Sequence, residues 1–399
     1  MISVSKMPLV SIITPSYNSA RFLTRTIRSV QQQDYPRIEH IIIDGGSSDE
    51  TLDILRSYSH LIWISERDQG QSNALNKGFR IAGGEIIGWL NADDTYNPQA
   101  VWEAVAYLKQ HLEAIAVFGR CNVIDERDRV QYVLDAPPFS LAQDLLEHRV
   151  PQPATFMRRT ALEQVGYLDE DLHYVMDRDL FLKLGYRGRL DSIGAIWANF
   201  RECEGTKTAS HPERFWMETL QVFDRFFVLP NLPAEVLAVK RRAYARAHWM
   251  AGILHYTRLG DPVAQAAGRD TCRTALDWHP LLTDDLDFVA DQLVHWAVSR
   301  VGSEQAETYV GRVLSESAAP DAVRFRALRY VLGHLYASMA LMAQPSSPLP
   351  VAQSRMRLRW IWNAVSRDPT WLRNGGILAA ILRDVPASIG LPRRQGGAE

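Results

Sequence analysis

Cysteine is scarce in this chain of 399 residues: Cys121, Cys203 and Cys272 stand far apart and none belongs to a CxxC pair. That spacing excludes a disulfide framework and a zinc cluster as organising devices, and a reducing compartment fits it best. An excess of one charge is lacking too, since 44 basic and 46 acidic residues leave a formal net charge of -2. No general field draws nucleic acid, so a polyanion must be met by a local site and no nucleic-acid partner is expected. There is no long hydrophobic run. The longest apolar-rich stretch, Tyr330 to Ala343, contains His334 and is too short to span a bilayer, and Met1 to Leu9 lacks the basic-then-apolar layout of a signal peptide. These absences predict a cytoplasmic protein. What is present is ordinary for a folded chain, 46% apolar and 23% charged residues, and the length exceeds what one core usually organises. Two domains are predicted.

From Leu9 to Phe118 short β-branched runs (Val10 to Thr14, Ile38 to Asp44, Leu61 to Ile64, Glu85 to Leu90) alternate with segments of helical spacing, the rhythm of an α/β parallel sheet. The uninterrupted Ile41-Ile42-Ile43 suits a central strand covered on both faces. Between Arg120 and Arg201 the alternation loosens, with extended segments at Arg129 to Leu134 and Ala154 to Met157 and a helix near Asp177 to Gly185. A helix over Pro212 to Phe227 follows, and Leu229-Pro230-Asn231-Leu232-Pro233 reads as a linker. This divides the chain into an α/β domain over residues 1–228 and an all-α domain over 234–399. Helix breaks in the latter are expected near Asp261-Pro262, His279-Pro280, Pro320, Pro345 to Pro350 and Asp368-Pro369. No fixed period establishes a repeat array there.

Three of the expected strands run straight into polar turns: Pro15-Ser16-Tyr17-Asn18, Gly45-Gly46-Ser47-Ser48-Asp49, and Asn91-Ala92-Asp93-Asp94. Open α/β sheets bind ligands at the carboxyl ends of their strands, so these segments should line one crevice. Adjacent carboxylates at a strand end suit Mg²⁺ or Mn²⁺ bridging a diphosphate, which makes Asp93 and Asp94 candidate ligands. Helix capping is the competing role, and Asn97 with Pro98 behind it fills that role better. Asp44 ends the second strand, where it could accept hydrogen bonds from a base or ribose. A nicotinamide dinucleotide site would show GxGxxG after the first strand, and Thr14-Pro15-Ser16-Tyr17-Asn18 stands there instead. Asp49 is expected to cap a helix.

Four ordered blocks, Val10 to Asn18, Ile43 to Thr51, Asp68-Gln69-Gly70-Gln71-Ser72-Asn73-Ala74-Leu75-Asn76-Lys77-Gly78 and Trp89 to Asp94, together resemble the family 2 glycosyltransferases of GT-A fold, a Rossmann-like mixed sheet. The resemblance implies a nucleotide-sugar donor, a divalent metal, an inverting hexosyl transfer to a sugar or lipid-linked saccharide acceptor, and polysaccharide or glycolipid assembly. It implies that Thr14, Pro15, Tyr17 and Asn18 form the segment that cradles the nucleobase, that Asp44 hydrogen-bonds it, that Gly70, Asn76 and Lys77 lie near the ribose and phosphates, and that Asp93 holds the metal with help from Asp94. Asn91 stands where the family usually has the first aspartate of a DxD triplet, which keeps a carbonyl oxygen and removes a charge.

Farther on, Met176, Leu180 and Leu184 form one helical stripe with Asp177 and Asp179 at its start. An Asp there is often only a cap, but the resemblance assigns the general base to Asp177, with Asp179 pointing elsewhere. Gln152-Pro153-Ala154-Thr155-Phe156 and Val165 to Asp169 are similar to the family's acceptor-side segment. In Arg201-Glu202-Cys203-Glu204-Gly205-Thr206-Lys207-Thr208, Cys203 replaces a frequent histidine, so it is either a softer ligand or a small partly buried residue that leaves the diphosphate to Arg201 and Lys207. Met356 to Trp362 mixes cationic and aromatic side chains as an interfacial helix does, which keeps peripheral contact with the inner membrane face open beside plain packing. The competing functional readings are a catalytically impaired sugar- or protein-binding scaffold on the same fold, and a sugar nucleotidyltransferase.

Overall fold

A computed structural model describes residues 7–203, 212–342 and 351–388. The chain forms two compact units, Met1–Lys240 and Arg241–Glu399. In the first, β1 (Val10–Ser16), α1 (Ala20–Gln31), β2 (Ile38–Asp44), α2 (Thr51–Arg56), β3 (Ile62–Ser65), α3 (Gln71–Ile81) and β4 (Ile86–Trp89) alternate as the hydrophobic rhythm predicts. There follow β5 (Thr95–Tyr96), α4 (Ala100–Gln110), β6 (Ala114–Ile124), β7 (Val130–Leu134), α5 (Leu141–Leu146), β8 (Thr155–Arg158), α6 (Arg159–Val165), α7 (Met176–Arg187), β9 (Arg189–Arg201) and α8 (Pro212–Phe226). The sheet order is β3-β2-β1-β4-β8-β6-β9-β5, with β7 paired to β6. Strands β1 to β4 are parallel to one another, while β8 runs antiparallel to both β4 and β6. The result is the mixed α/β sheet expected, with the parallel half carried by the segments of clearest alternation.

The core explains that order. Ile12, Ile13, Ile41, Ile42 and Ile43 have no exposed surface, as central strands covered on both faces require. Helix α1 seals one face through Phe22, Leu23, Thr26, Ile27 and Val30, an i, i+3, i+4 stripe. The long strands β6 and β9 were not legible as strands. Their pairing slips in register at Phe118/Arg120 and Arg120/Cys121, and such irregularities erase the period-two signature. Asn97, expected to cap α4, turns its side chain to β9 instead, donating to the Ile196 carbonyl at 2.8 Å and accepting from the Asn199 amide at 3.1 Å; the Gln33 side-chain oxygen takes the Val101 N–H.

The second unit is helical throughout its described residues, with helices Pro262–Trp278, Leu286–Trp296, Ala306–Ser315, Asp321–Met342, Val351–Arg367 and Gly375–Ser388. Asp261 caps the first of these by accepting the Val263 and Ala264 N–H groups, and Pro262 occupies the first turn. Asp285 accepts both Arg242 and Arg246; burial pushes its carboxyl up, but the two guanidiniums hold it down at about 2. Arg357 lies fully buried against Asp384, so that part of the basic stretch before Trp362 is internal, while Trp362 itself is exposed. No helix among the described residues is long and apolar enough to cross a membrane.

Gly78 shows how closely α3 approaches the sheet: a Cβ there would lie 2.5 Å from Ile13 Cγ2 and 3.3 Å from Ile43 Cγ1. Alanine favours a helix over glycine by ~1 kcal/mol, yet overlap with a β-branched side chain that has no exposed surface outweighs it. Gly78→Ala is expected to lower stability by ~1–3 kcal/mol, read as a lower urea midpoint at unchanged slope; a raised midpoint would show that the helix can lift off the sheet without cost.

Candidate active site

Because β1, β2 and β4 are parallel neighbours, their three following turns emerge at one edge of the sheet. The first two turns are laced together. The Asn18 N–H donates to Ser47 Oγ (2.7 Å) and the Ser48 N–H to Asn18 Oδ1 (2.9 Å), with Asn18 at φ 48°, a left-handed conformation that asparagine tolerates. Asp49 accepts the Ala20 N–H at the start of α1 and the Thr51 N–H at the start of α2, so it caps as expected. Tyr17 stands out from this scaffold with 66% of its surface exposed.

Several residues expected at the donor turn out to build the edge rather than line it. Thr14 and Pro15 lie inside β1, and Thr14 Oγ1 is 3.0 Å from His40 Nε2. Asp44 has no exposed surface; its carboxylate takes the Gly46 and Ser47 N–H groups and the Ser47 and Ser65 hydroxyls, which makes it the organiser of its turn. Asn76 is buried and pins the 168–170 segment, donating to the Leu168 carbonyl and Glu170 while accepting the Leu168 N–H. Lys77 pairs with Glu66 at 2.6 Å. Gly70, at φ 120°, turns the chain beside His173 and gives its N–H to Asp68.

At the end of β4 the two aspartates part company. Asp94 is wholly buried, its Oδ1 accepting the Arg201 N–H (2.9 Å) and its Oδ2 the Asn91 amide (3.1 Å). Burial, with Asp93 adding to it, raises the Asp94 carboxyl well above the usual range. Both its oxygens are thus engaged within the turn. Asn91 is committed as well: its oxygen accepts from Gln71 and Trp89, and its amide donates to Asp94 and Gln152. Asp93 is the exception, half-buried and without a side-chain partner among the described residues. Burial raises its carboxyl, against its own backbone amide and Arg201.

Arg201 also departs from expectation. It is fully buried, giving Nε–H to the Asp93 carbonyl, one terminal nitrogen to the Asp125 carbonyl and the other to Asp128 at 2.6 Å, with the guanidinium over the Phe22 ring. Three of its five N–H donors are engaged within the protein, and the side chain has no exposed surface. Cys203 is half-buried, and its thiol is raised by burial and by the charge of Asp93, so it faces the same carboxylate. Lys207 lies outside the described residues. Among the described residues no three His, Cys, Asp or Glu side chains form a group that could hold a metal by themselves.

Asp177 sits in the first turn of α7 with 28% of its side chain exposed. Its Oδ1 accepts the Arg178 N–H (2.8 Å), and its Oδ2 faces His148 Nε2 at 3.6 Å. Burial pushes the carboxyl up, but His148 more than offsets this and holds it below the usual range. Asp179 points away, to Lys183 at 2.6 Å. The approach to α7 is clamped from α8, where the Glu218 carboxylate accepts the N–H groups of His173, Tyr174 and Val175. His148 escaped the sequence reading. Its only local signal is Asp144 four residues earlier, and nothing linear places either beside Asp177.

Asp93 and Asp177 belong to one edge. Gln152 donates to the Trp89 carbonyl (2.7 Å) and accepts from Asn91, two residues before Asp93, and it follows His148 by four residues. From the other side, Gln71 at the start of α3 reaches Asn91, while its neighbour Ser72 donates to the Leu172 carbonyl and lies against Met176. An exposed aromatic, an unpaired carboxylate and a buttressed carboxylate thus share the carboxyl end of the sheet.

The sequence profile of glycosyl transferase family 2 matches residues 11–166, a span that takes in the four blocks from Ser11 onward and ends before Asp177. An uncharacterized glycosyltransferase of Mycobacterium tuberculosis is 34% identical over 217 residues, covering 53% of this chain and 80% of that protein. Chondroitin synthase of Escherichia coli is 27% identical over 212 residues, 52% of this chain and 31% of the synthase. The solved structure of S. aureus TarS with UDP-GlcNAc overlays loosely, with a TM-score of 0.47 at 17% identity over 92% of each chain. On the profile match and on the extent of the mycobacterial similarity, the chain belongs to glycosyl transferase family 2.

Proposed function

We propose that this protein is an inverting glycosyltransferase that moves a sugar from a nucleoside diphosphate donor to an acceptor hydroxyl in polysaccharide or glycolipid assembly, with Asp177 as the general base. The domain over residues 1–228 carries the chemistry. The observation that supports this reading best is Asp177 itself, an ionised, partly exposed carboxylate fixed at a helix start on the edge where Asp93 stands unpaired.

The reaction needs a sharpened nucleophile and a stabilised leaving group. As the acceptor oxygen bonds to the anomeric carbon, Asp177 takes its proton and the bond to the diphosphate breaks, the electron pair leaving with the phosphate oxygen. One displacement inverts the centre. General-base help of this kind contributes ~10²–10⁴-fold. Tyr17, exposed at the mouth, offers a face for the nucleobase.

Of the acidic pair, Asp93 alone fits a divalent ion, as the single protein carboxylate beside phosphate oxygens that Mg²⁺ or Mn²⁺ commonly accepts. When bound, the ion would neutralise charge on the departing diphosphate. Asn91 and Asp94 support the Asp93 turn from within. Membrane contact through the Met356–Trp362 stretch remains a proposal for the exposed Trp362 face.

Asp177→Asn is expected to cut transfer by ~10²–10⁴-fold while thermal shifts with UDP-, GDP- and dTDP-sugars in Mn²⁺ stay as in the native protein; near-normal transfer would remove Asp177 from the role. Donor at about 100 Kd should stabilise the native fold by ~2.7 kcal/mol, and EDTA should reduce that shift, as should Asp93→Asn. Asn91→Asp, which restores an acidic triplet, is expected to destabilise rather than to tighten metal binding. The new carboxylate would face Asp94 and Gln152 Oε1, costing ~1–3 kcal/mol. Repulsion raises its folded pKa, so the loss should be absent below its unfolded value and appear as pH rises; equal urea midpoints at pH 4 and pH 8 would contradict this.

A further inference from the structure

His148 lies between two aspartates that come from different helices. Its Nδ1 is 3.4 Å from Asp144 Oδ1 on α5, and its Nε2 is 3.6 Å from Asp177 Oδ2 on α7. The ring is stacked on Phe181, with centroids 6.0 Å apart at 20°, so a neighbour from the next turn of α7 fixes its plane. The fourth charge is Arg178, fully buried over the Phe223 ring and anchored to the Asp144 and Leu145 carbonyls. Two carboxylates therefore face one guanidinium and one imidazole, and the cluster is neutral only when the imidazole is protonated.

We propose that His148, backed by Asp144, is a positioning residue that orients and charges the Asp177 carboxylate for proton abstraction. This rests on Asp177 being the base. With Oδ1 tied to the Arg178 N–H and Oδ2 drawn to His148, the carboxylate is held at both oxygens while 28% of the side chain stays exposed. The two contacts are at ion-pair distance and meet the two ring nitrogens from opposite sides, so the imidazole is held between the carboxylates of two helices, and Asp144 is itself fixed by accepting the Arg149 N–H at 3.0 Å. Burial alone would lower the imidazole, but Asp144 and Asp177 raise it to about 9. A raised cation of this kind adds stability that is complete below its reference value of 6.5 and is lost as pH rises through about 9.

The test has two arms. In the native protein labelled with ¹³C-histidine, the His148 resonance, assigned by its loss in His148→Gln, should titrate near 9, and Asp177→Asn and Asp144→Asn should each lower that midpoint by about one unit or more. A midpoint near the ordinary histidine value, or one indifferent to Asp177, would overturn the proposal whether or not the protein transfers sugar. The second arm follows kcat/KM against pH with whichever of UDP-glucose, GDP-mannose or dTDP-glucose the native protein turns over. His148→Gln should move the acid limb upward by about one pH unit, because Asp177 loses its cation; a lower rate with an unmoved limb would reduce His148 to a packing residue and also overturn the proposal. Turnover of none of the three by the native protein would count against the proposed function and remove the catalytic part of this inference, while the resonance titration still decides the coupling.

Discussion

A single buried guanidinium organises the carboxyl edge of the sheet in the first unit. Arg201, the last residue of β9, ties the turn after β4 to the β6–β7 hairpin through the Asp93 carbonyl, the Asp125 carbonyl and Asp128, and its own N–H meets Asp94. Removing a full charge from water is costly, and the arrangement is stable only because the donors are matched and Phe22 covers the flat face. One consequence is local: the Asp93 carbonyl is gripped and its neighbour buried, while the Asp93 carboxylate, half-buried, has no side-chain partner among the described residues.

The same division of labour recurs around the cleft. Most of the polar residues at the strand ends hold turns, and a few are presented by them. Asp44 gathers two N–H groups and two hydroxyls so that the second turn keeps its shape, and Asn18 stitches that turn to the first. Tyr17 is then free to project. Ahead of α7, Asn76 and Glu218 restrain the segments leading into the helix, and Asp144 with His148 backs Asp177. Preorganisation of this sort lets a site meet developing charge without rearranging.

Legibility followed physical locality. Strands β1 to β4 were readable because apolar residues recur with a strand's period and three of the four end in polar turns, whereas β6 and β9 were hidden by register slips and by side chains that are only partly covered. Asp49 does meet N–H groups at two helix starts, one local and one distant in sequence, while Asn97 does not cap, since Asn199 of β9 takes its side-chain oxygen. In the site, the spacing of Asp177 ahead of a buried stripe suited a cap as well as a base, and it was the family resemblance that singled it out. His148 had no such marker, because its partners lie on two helices separated in sequence.

By itself the sequence determined the alternating α/β pattern, the helical character of the second unit and the family, since all three are written in short-range periodicity and contiguous blocks. Tertiary structure decided which of the polar residues in those blocks face outward: Asp93 rather than Asp94, Tyr17 rather than Thr14, and an Arg201 turned wholly inward. Burial is a property of the three-dimensional neighbourhood, and two adjacent aspartates differ in it for a reason that no linear pattern carries, namely which one β9 and Asn91 happen to cover.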